Sequence, residues 1–161
     1  MVDGAMSDDA QALSPLSSTS ATTDADYDVD AIGRQLLRKT ESDAVLITHH
    51  HRDHTGGNMV LRQRYDCAVY APDNPRIPET THVLRGGDTL DLIEPGLHFE
   101  VLATPGHTLD HISYVGHGCL FCGDTVFGCG CGKLFEGSPA TMAASLDAIL
   151  ALPDATRVCC A

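Results

Sequence analysis

Hydrophobic residues occur along this chain in short runs separated by turn-forming residues, and the spacing of the runs changes midway. In the first half, two apolar runs predict strands over 43–48 and 67–70, and the residues between them predict a helix over about 57–65. Three apolar positions on one face predict an earlier helix from about 28 to 39, capped by an aspartate. The first half is therefore predicted to hold a helix followed by a strand-helix-strand unit.

The second half changes to a series of short strands with turns between them. Apolar and alternating segments predict strands over 82–84, 89–93, 97–103, 111–115 and 119–121. A helix then begins with Ser138 as its N-cap and Pro139 in its first turn, and a final strand is predicted over 156–161. This order of elements predicts the α/β (α+β) class, with helices packed outside sheets.

Length and charge suggest one domain behind an acidic tail. With 161 residues and 43% hydrophobic content, the chain is large enough for a single globular core. The net charge of −12 is uneven, because residues 1–30 contain seven aspartates and no lysine or arginine, which leaves −5 for the rest. Residues 1–27 are rich in serine and threonine without a hydrophobic period, so we expect a disordered tail and a domain over 28–161. The acidic excess argues against nucleic acid or an anionic membrane surface as a partner.

The N-terminal residues and the cysteines indicate the compartment. The first residues lack the pattern of a secretory signal or a mitochondrial presequence, and no apolar stretch approaches the roughly 18 residues of a membrane span. Seven cysteines, an odd number, indicate reduced thiols in a cytoplasmic protein. A thiolate metal site is the alternative for three pairs, but we expect small core residues. These pairs are Cys119 and Cys122, Cys129 and Cys131, and Cys159 and Cys160.

A histidine-rich stretch directly follows the first predicted strand. Residues 48–58 read Thr-His-His-His-Arg-Asp-His-Thr-Gly-Gly-Asn. If the chain stays extended, side-chain alternation places His49 and His51 on one face, so their imidazoles converge. His50 then points away and is expected to pack or to support a neighbour.

The same stretch supplies further ligand types. Asp53 and His54 come where the chain must turn, and Gly56 with Gly57 would let the backbone pass close by without a Cβ. A purification tag would be terminal and would not follow a buried strand. Imidazole and carboxylate groups at this spacing predict a metal site suited to zinc, iron or manganese.

Two later segments add candidate ligands. His107 lies on a tight turn, Thr-Pro-Gly-His-Thr, after the strand over 97–103, and Asp124 follows an apolar strand, where an unpaired buried carboxylate would be costly. His111, at the start of the next strand, is expected to hold a loop or orient a ligand by hydrogen bonding. Six candidate ligands exceed the need of one tetrahedral zinc, which suggests two metals sharing Asp124 and a water. The candidates are His49, His51, Asp53, His54, His107 and Asp124.

Taken in order, three segments resemble the metallo-β-lactamase superfamily. They are Thr-His-x-His-x-Asp-His at 48–54, Thr-Pro-Gly-His-Thr at 104–108 and Gly-Asp-Thr at 123–125. The resemblance implies an αββα sandwich with metals at the sheet edge, incomplete in this chain. Another segment, Gly-Cys-Gly-Lys-Leu-Phe-Glu-Gly at 130–137, resembles glyoxalase II, the hydroxyacylglutathione hydrolase family. Together the resemblances cover about 28–161.

The resemblance also implies roles for individual residues and two divalent metal ions, zinc in the first place, with iron or manganese as alternatives. The first metal would be held by His49, His51 and His107, the second by Asp53 and His54, with Asp124 as the bridge. Asp53, His54 and Asp124 would thus act in catalysis. Lys133 would contact glutathione, which carries carboxylates at both ends. Phe135 stands where some family members have a tyrosine, so a hydroxyl contact would be absent there.

The chain departs from the family pattern at both ends. Family members continue after the last predicted strand with His-Glu-Tyr-Thr, whose histidine is the final ligand of the second metal, and with a C-terminal helical domain. They also begin with strands that residues 1–30 cannot replace. We therefore expect a fragment of a longer hydrolase, with a second metal site that lacks one ligand and binds more weakly.

The implied reaction is hydrolysis of the thioester of S-(2-hydroxyacyl)glutathione, such as S-D-lactoylglutathione, to glutathione and D-lactate, the second step of methylglyoxal detoxification. Two metals would lower the pKa of a bridging water from about 15.7 toward about 7, and the hydroxide would attack the carbonyl. A mononuclear-iron persulfide dioxygenase of the same superfamily and a catalytically silent metal-binding fragment are the alternatives. The expected partner is the small glutathione thioester, and we expect a monomer.

Overall fold

The computed structural model describes residues 44–92 and 96–160. The predicted disordered tail over 1–27 and the predicted helix from about 28 to 39 lie outside these residues. Everything that follows therefore concerns the predicted domain over 28–161. Among the described residues, no helix is long and apolar enough to cross a bilayer.

The first sheet is parallel and has three strands. Its order is β1 (Ala44–Leu46), β2 (Ala68–Pro72) and β3 (His82–Leu84). Between β1 and β2 the chain forms α1 (Arg52–Thr55) and α2 (Asn58–Tyr65). The strand-helix-strand prediction is confirmed, although α1 was not expected because a single turn is too short to show a helical period.

The second sheet contains the strands of the second half in the order β10-β7-β6-β5-β4. They are β4 (Thr89–Leu92), β5 (Leu97–Ala103), β6 (Ile112–Gly116), β7 (Cys119–Phe121) and β10 (Arg157–Cys159). Pairing is antiparallel from β4 to β7, and β10 pairs parallel with β7. All the predicted strands are present, and β5 has the predicted bounds.

The segment after β7 differs from the prediction. β8 (Val126–Phe127) and β9 (Gly130–Cys131) form a small hairpin, which is too short to show alternation in the sequence. The last helix is α3 (Pro139–Leu150), and it starts as predicted, because the Ser138 hydroxyl accepts a hydrogen bond from the Thr141 N–H at 3.1 Å.

Apolar side chains from both sheets pack against each other. The buried cluster between them contains Leu84, Leu90, Phe99, Val101, Ile112 and Tyr114. The Tyr114 hydroxyl crosses from β6 and donates a hydrogen bond to the Ile47 carbonyl at 2.8 Å, directly after β1. After β5, the Pro105 carbonyl accepts a hydrogen bond from the Ser145 hydroxyl of α3 at 2.7 Å. The two sheets are thus fixed to each other beside the point where the histidines begin, in the arrangement expected of an αββα sandwich.

The Tyr114→Phe variant is expected to lower the free energy of unfolding by about 1–3 kcal/mol, because it leaves the buried Ile47 carbonyl without this donor. Burial raises the pKa of Tyr114 well above its usual value. The unfolded hydroxyl ionises near pH 10, so its contribution to stability is fully present below about pH 10 and is lost as pH rises above that value. Urea unfolding at pH 8 and pH 10.5 should show a smaller alkaline decline in the variant. An equal decline in both proteins would contradict the buried position.

Four of the seven cysteines do not have the predicted environment. Cys67 and Cys122 are buried and Cys119 is half-buried, whereas Cys129, Cys131, Cys159 and Cys160 are exposed. For these four the prediction of small core residues is wrong. The first two belong to the loop and strand of the β8–β9 hairpin, and the last two lie in or beside the edge strand β10, where nothing in the described part of the chain covers them.

Candidate metal centre

Three imidazoles meet at the ends of the strands. His49 and His51 follow β1 on one side of the chain, and His49 Nε2 lies 3.0 Å from His51 Nδ1. His107 follows β5, and its Nε2 lies 2.9 Å from the same His51 nitrogen. A tetrahedral ion with bonds of about 2.0–2.1 Å holds its nitrogen ligands about 3.3 Å apart. The three nitrogens therefore already have almost the spacing that a zinc-sized ion requires.

The other ring nitrogen of His107 determines its tautomer. His107 Nδ1 donates a hydrogen bond to the Lys133 carbonyl at 2.7 Å, so the proton stays on Nδ1 and the lone pair of Nε2 faces His51. This is the arrangement in which metal-binding histidines are usually oriented by a neighbouring carbonyl.

Burial favours the neutral forms of His49 and His51. His49 is fully buried, and its burial, with smaller contributions from four neighbouring imidazoles, lowers the pKa of its ring far below the usual value. Burial is also the main cause that lowers the pKa of His51, followed by the nearby His107. The facing ring nitrogens of His49, His51 and His107 lie about 3 Å apart, so one cation could accept a lone pair from each. The donor set therefore fits a divalent metal ion.

Asp124 connects the three histidines to a second group of potential metal ligands. One of its oxygens, Oδ1, lies 3.1 Å from His54 Nε2, and the other, Oδ2, lies 3.3 Å from His107 Nε2. Burial alone would raise the pKa of Asp124, but the hydrogen bond with His54 and the surrounding imidazoles lower it below the usual value. In return, the bond with Asp124 raises the pKa of His54. Asp53 stands at the outer edge, with Oδ2 3.5 Å from His54 Nε2.

All six predicted ligands thus come together. Two sets have donor atoms close enough to surround one ion each: His49, His51 and His107, and His49, His54 and Asp124. The position of Asp124 between the sets matches the predicted bridge. Asp53 is outside both sets but next to the second.

His111 holds the Asp124 backbone in place without joining the ligand sets. Its Nε2 accepts a hydrogen bond from the Asp124 backbone N–H at 3.2 Å, while its Nδ1 faces the hydroxyls of Thr104 at 2.8 Å and Thr125 at 3.2 Å. Burial is the main cause that lowers the pKa of His111 to about 4. The ring is therefore neutral, with its proton on Nδ1, as its predicted supporting role requires.

The segment from Gly132 to Gly137, which we call the 132–137 loop, lies against the His107 turn. The Phe135 N–H donates to the His107 carbonyl and the Gly137 N–H to the Gly106 carbonyl, both at 3.1 Å. The Phe135 ring stands edge-on to the His51 and His107 rings, with centroids 5.2 Å apart in each case, and is 57% exposed. Lys133 Nζ lies 4.9 Å from the centre of the Phe135 ring. The two predicted substrate residues are therefore next to the histidines.

Some residues around the cluster were not predicted. His50 turns away from His49 and His51, as alternation predicted, and its Nδ1 lies 2.9 Å from Asp110 Oδ1 in a separate polar cluster with Glu136. Glu136 is part of the segment that resembles glyoxalase II, and Asp110 precedes His111, so proximity to these motifs was the only signal available for either residue.

The interpretation of Gly57 is wrong. A Cβ at Gly57 would meet only Leu61 Cδ1 at 3.8 Å, which is ordinary contact, and Gly56 and Gly57 have helical backbone angles. The close approach occurs instead at Gly132, where a Cβ would lie 1.8 Å from the Asp124 carbonyl oxygen.

Comparisons with known proteins show which family and which relatives this chain resembles. A family model described as the metallo-β-lactamase superfamily matches residues 1–161. Over 118 residues the chain is 75% identical to a hydroxyacylglutathione hydrolase from Thiobacillus denitrificans, an alignment covering 73% of this chain and 46% of that relative. The chain thus spans about half the length of the curated relative it matches.

Solved structures show the same fold. ETHE1 from Myxococcus xanthus superimposes with a TM-score of 0.71 and 32% identity, covering 82% of this chain and 60% of that one. TTHA1623, solved in a di-iron-bound form, superimposes with a TM-score of 0.66 and 26% identity, covering 84% and 77%. The predicted metallo-β-lactamase-like fold is confirmed by these similarities.

Proposed function

This chain belongs to the metallo-β-lactamase superfamily, and we propose that it provides the catalytic site of a metal-dependent hydrolase. The proposed reaction cleaves the thioester of S-(2-hydroxyacyl)glutathione, for example S-D-lactoylglutathione, to glutathione and a 2-hydroxy acid. The observation that carries the proposal is the convergence of three imidazole nitrogens and Asp124 directly beneath the 132–137 loop. The 75% identity to a protein named hydroxyacylglutathione hydrolase supports the choice of substrate.

The proposed ligand assignment follows the two groups. The first metal would be held by His49, His51 and His107, the second by Asp53 and His54, and Asp124 would bridge. The di-iron form of TTHA1623 is consistent with two metals, and zinc is proposed here because nitrogen and carboxylate ligands suit it. When bound, such ions make a water nucleophilic at neutral pH and polarise the thioester carbonyl.

Residues of this chain would orient both the metal ligands and the substrate. His111 fixes the Asp124 backbone, and the Lys133 carbonyl fixes the His107 ring, so the ligands are held before any ion binds. The exposed Phe135 ring offers an apolar wall, and the Lys133 ammonium offers a partner for a glutathione carboxylate. Because a thiolate is a good leaving group, the site needs no strong acid to protonate it.

The deciding experiment measures turnover of S-D-lactoylglutathione from the loss of thioester absorbance. The zinc-loaded chain is expected to hydrolyse it, to lose the activity on chelation, and to regain it when zinc is returned. A chain that binds metal but shows no turnover would contradict the proposal and favour the silent metal-binding fragment.

The alternative activity, that of a persulfide dioxygenase, is tested with the same chain loaded with iron. The similarity to ETHE1 is compatible with a mononuclear-iron persulfide dioxygenase. Such an enzyme would consume oxygen in the presence of glutathione persulfide when loaded with iron, and would leave the thioester intact. We expect no oxygen consumption by the iron-loaded chain.

A further inference from the structure

The Glu136 side chain connects four segments of the chain around the candidate metal centre. Its Oε2 accepts a hydrogen bond from the Leu109 N–H at 3.0 Å, two residues after His107. Its Oε1 accepts from Arg76 Nη2 at 3.0 Å and lies 3.5 Å from His50 Nε2. Glu136 therefore touches the segments that carry the predicted ligands, while it is not a member of either ligand set.

His50 extends these contacts on its other side. Its Nδ1 lies 2.9 Å from Asp110 Oδ1, and Asn74 Nδ2 donates to Asp110 Oδ2 at 2.9 Å. The His50 side chain is 6% exposed and that of Glu136 is 26% exposed. We call these five residues, Asn74, Arg76, His50, Asp110 and Glu136, the Glu136 network. The bonds of Asp110 with His50 and Asn74 are shielded from water and contribute more than those of an exposed ion pair, whereas the Arg76 side chain that bonds Glu136 is 58% exposed.

The Glu136 network is not suited to hold a further metal ion. His50, Asp110 and Glu136 do have donor atoms close to one another. However, the two carboxylates face opposite nitrogens of His50, and Arg76 and Asn74 donate hydrogen bonds to the same carboxylates. A cation would have to compete with these donors. The contacts therefore describe a set of hydrogen bonds that joins segments.

These contacts act on the segment that bears the proposed substrate residues. Backbone hydrogen bonds attach the 132–137 loop to Gly106 and His107, and Glu136 attaches its far end to Leu109 and Arg76. Phe135 is one of the attached residues, and Lys133 lies two residues before it, with its own carbonyl bonded to His107 Nδ1. Without the Glu136 contacts, one side of the loop would be held by its backbone alone.

We propose that Glu136 is a positioning residue, which fixes the 132–137 loop against the histidine cluster and so sets Lys133 for an anionic end of the substrate. This inference rests on the proposed function for its substrate class. It assigns to Glu136 a contribution to substrate affinity, without contact with metal or with the reacting atoms.

The test is the Glu136→Gln variant. The amide keeps the size of the side chain but has one acceptor oxygen instead of two, so either the Leu109 N–H or Arg76 loses its partner. KM for S-D-lactoylglutathione is expected to rise about tenfold, with kcat within about twofold. For a neutral thioester without carboxylates, S-D-lactoyl-N-acetylcysteamine, KM is expected to stay unchanged, and so is the bound metal.

Glu79→Gln is the matched control, because it makes the same chemical change in a different ion pair, where Glu79 Oε2 lies 3.2 Å from Arg62 Nε. Glu79→Gln should leave KM unchanged for both thioesters. Equal losses on both thioesters for Glu136→Gln, or a loss of metal, would assign Glu136 a general structural role and overturn the proposal. Unchanged kinetics with both substrates would also overturn it.

Amide hydrogen exchange tests the positioning role of Glu136 independently of turnover. The Leu109, Phe135 and Gly137 amides are hydrogen-bonded in this region, and their exchange is expected to become about tenfold faster in Glu136→Gln but not in Glu79→Gln. If the unmodified chain showed no thioester hydrolysis, the proposed function would fail, yet faster exchange would still support the positioning of the loop. Unchanged exchange would overturn it.

Discussion

Replacing Asp124 with asparagine is expected to lower kcat/KM for the glutathione thioester by about a thousandfold or more. Asp124 has an oxygen toward each ligand group, at 3.1 Å from His54 and 3.3 Å from His107. Asparagine keeps the shape but removes the charge and replaces one oxygen by an N–H donor. That donor would occupy the lone pair of whichever ring nitrogen it faces, so the nitrogen could no longer bind a cation.

The magnitude follows from what a bound metal contributes. Stabilisation of developing charge by a metal amounts to several kcal/mol, and about 4 kcal/mol corresponds to about a thousandfold in rate. Metal per chain, measured by mass spectrometry of the elements, is expected to fall together with activity. His111 would still hold the backbone of residue 124, because its bond is to the main-chain N–H.

Asp147→Asn provides the control for this variant, since Asp147 is exposed on α3 and the change in charge is identical. It should retain full activity and metal content. If Asp124→Asn kept both its metal and more than about a tenth of its turnover, the bridging role of Asp124 would be wrong.

The second large effect is expected for Gly132→Ala. A Cβ at this position would lie 1.8 Å from the Asp124 carbonyl oxygen, 3.0 Å from the adjoining carbon and 3.1 Å from His107 Nδ1. Two of these three atoms belong to backbone, so a side-chain rotation cannot relieve the clash. The 132–137 loop must therefore move away from Asp124 and His107.

This displacement separates groups that the site needs together. The Lys133 carbonyl would lose its hydrogen bond from His107 Nδ1, now 2.7 Å long, and the His107 ring would no longer be held in one orientation. A misplacement of about 1 Å in such a site can cost about a hundredfold in rate, and we expect a loss of that order in kcat/KM. Thermal unfolding should also occur at a lower temperature.

Gly128→Ala is the matched control in the same part of the chain. A Cβ at Gly128 meets no atom within 4 Å, and the backbone there does not have a positive φ. Its activity and melting temperature should equal those of the unmodified chain. Full activity in Gly132→Ala would mean that the loop does not lie against Asp124 during turnover.

The elements of the fold could be predicted where the hydrophobic pattern was long enough to read. The seven residues of β5 alternate between core and solvent, and their predicted bounds agree with the structure. The two-residue strands β8 and β9 and the single-turn helix α1 were missed, because fewer than two periods of a pattern carry no signal. The exposed cysteines were misjudged because small apolar residues suit both a core strand and an uncovered edge strand.

The sequence by itself determined the donor types and the local geometry of the candidate metal centre. Side-chain alternation after β1 was sufficient to bring His49 and His51 together and to turn His50 away, because it depends on neighbouring residues alone. The use of all six as ligands stays a prediction, since spacing and proximity do not demonstrate binding.

Only the tertiary structure decided how the distant segments meet. His107 lies 56 positions from His51, and Glu136 lies 60 positions from Arg76, so these contacts depend on how the sheets and loops pack. The packing of the two sheets, fixed in part by Tyr114, sets these distances. It also placed the carboxylate of Asp124 between two ligand groups and required glycine at position 132 instead of at position 57. Local pattern carries no information about such approaches, because they arise from the surfaces of elements that are far apart in the chain.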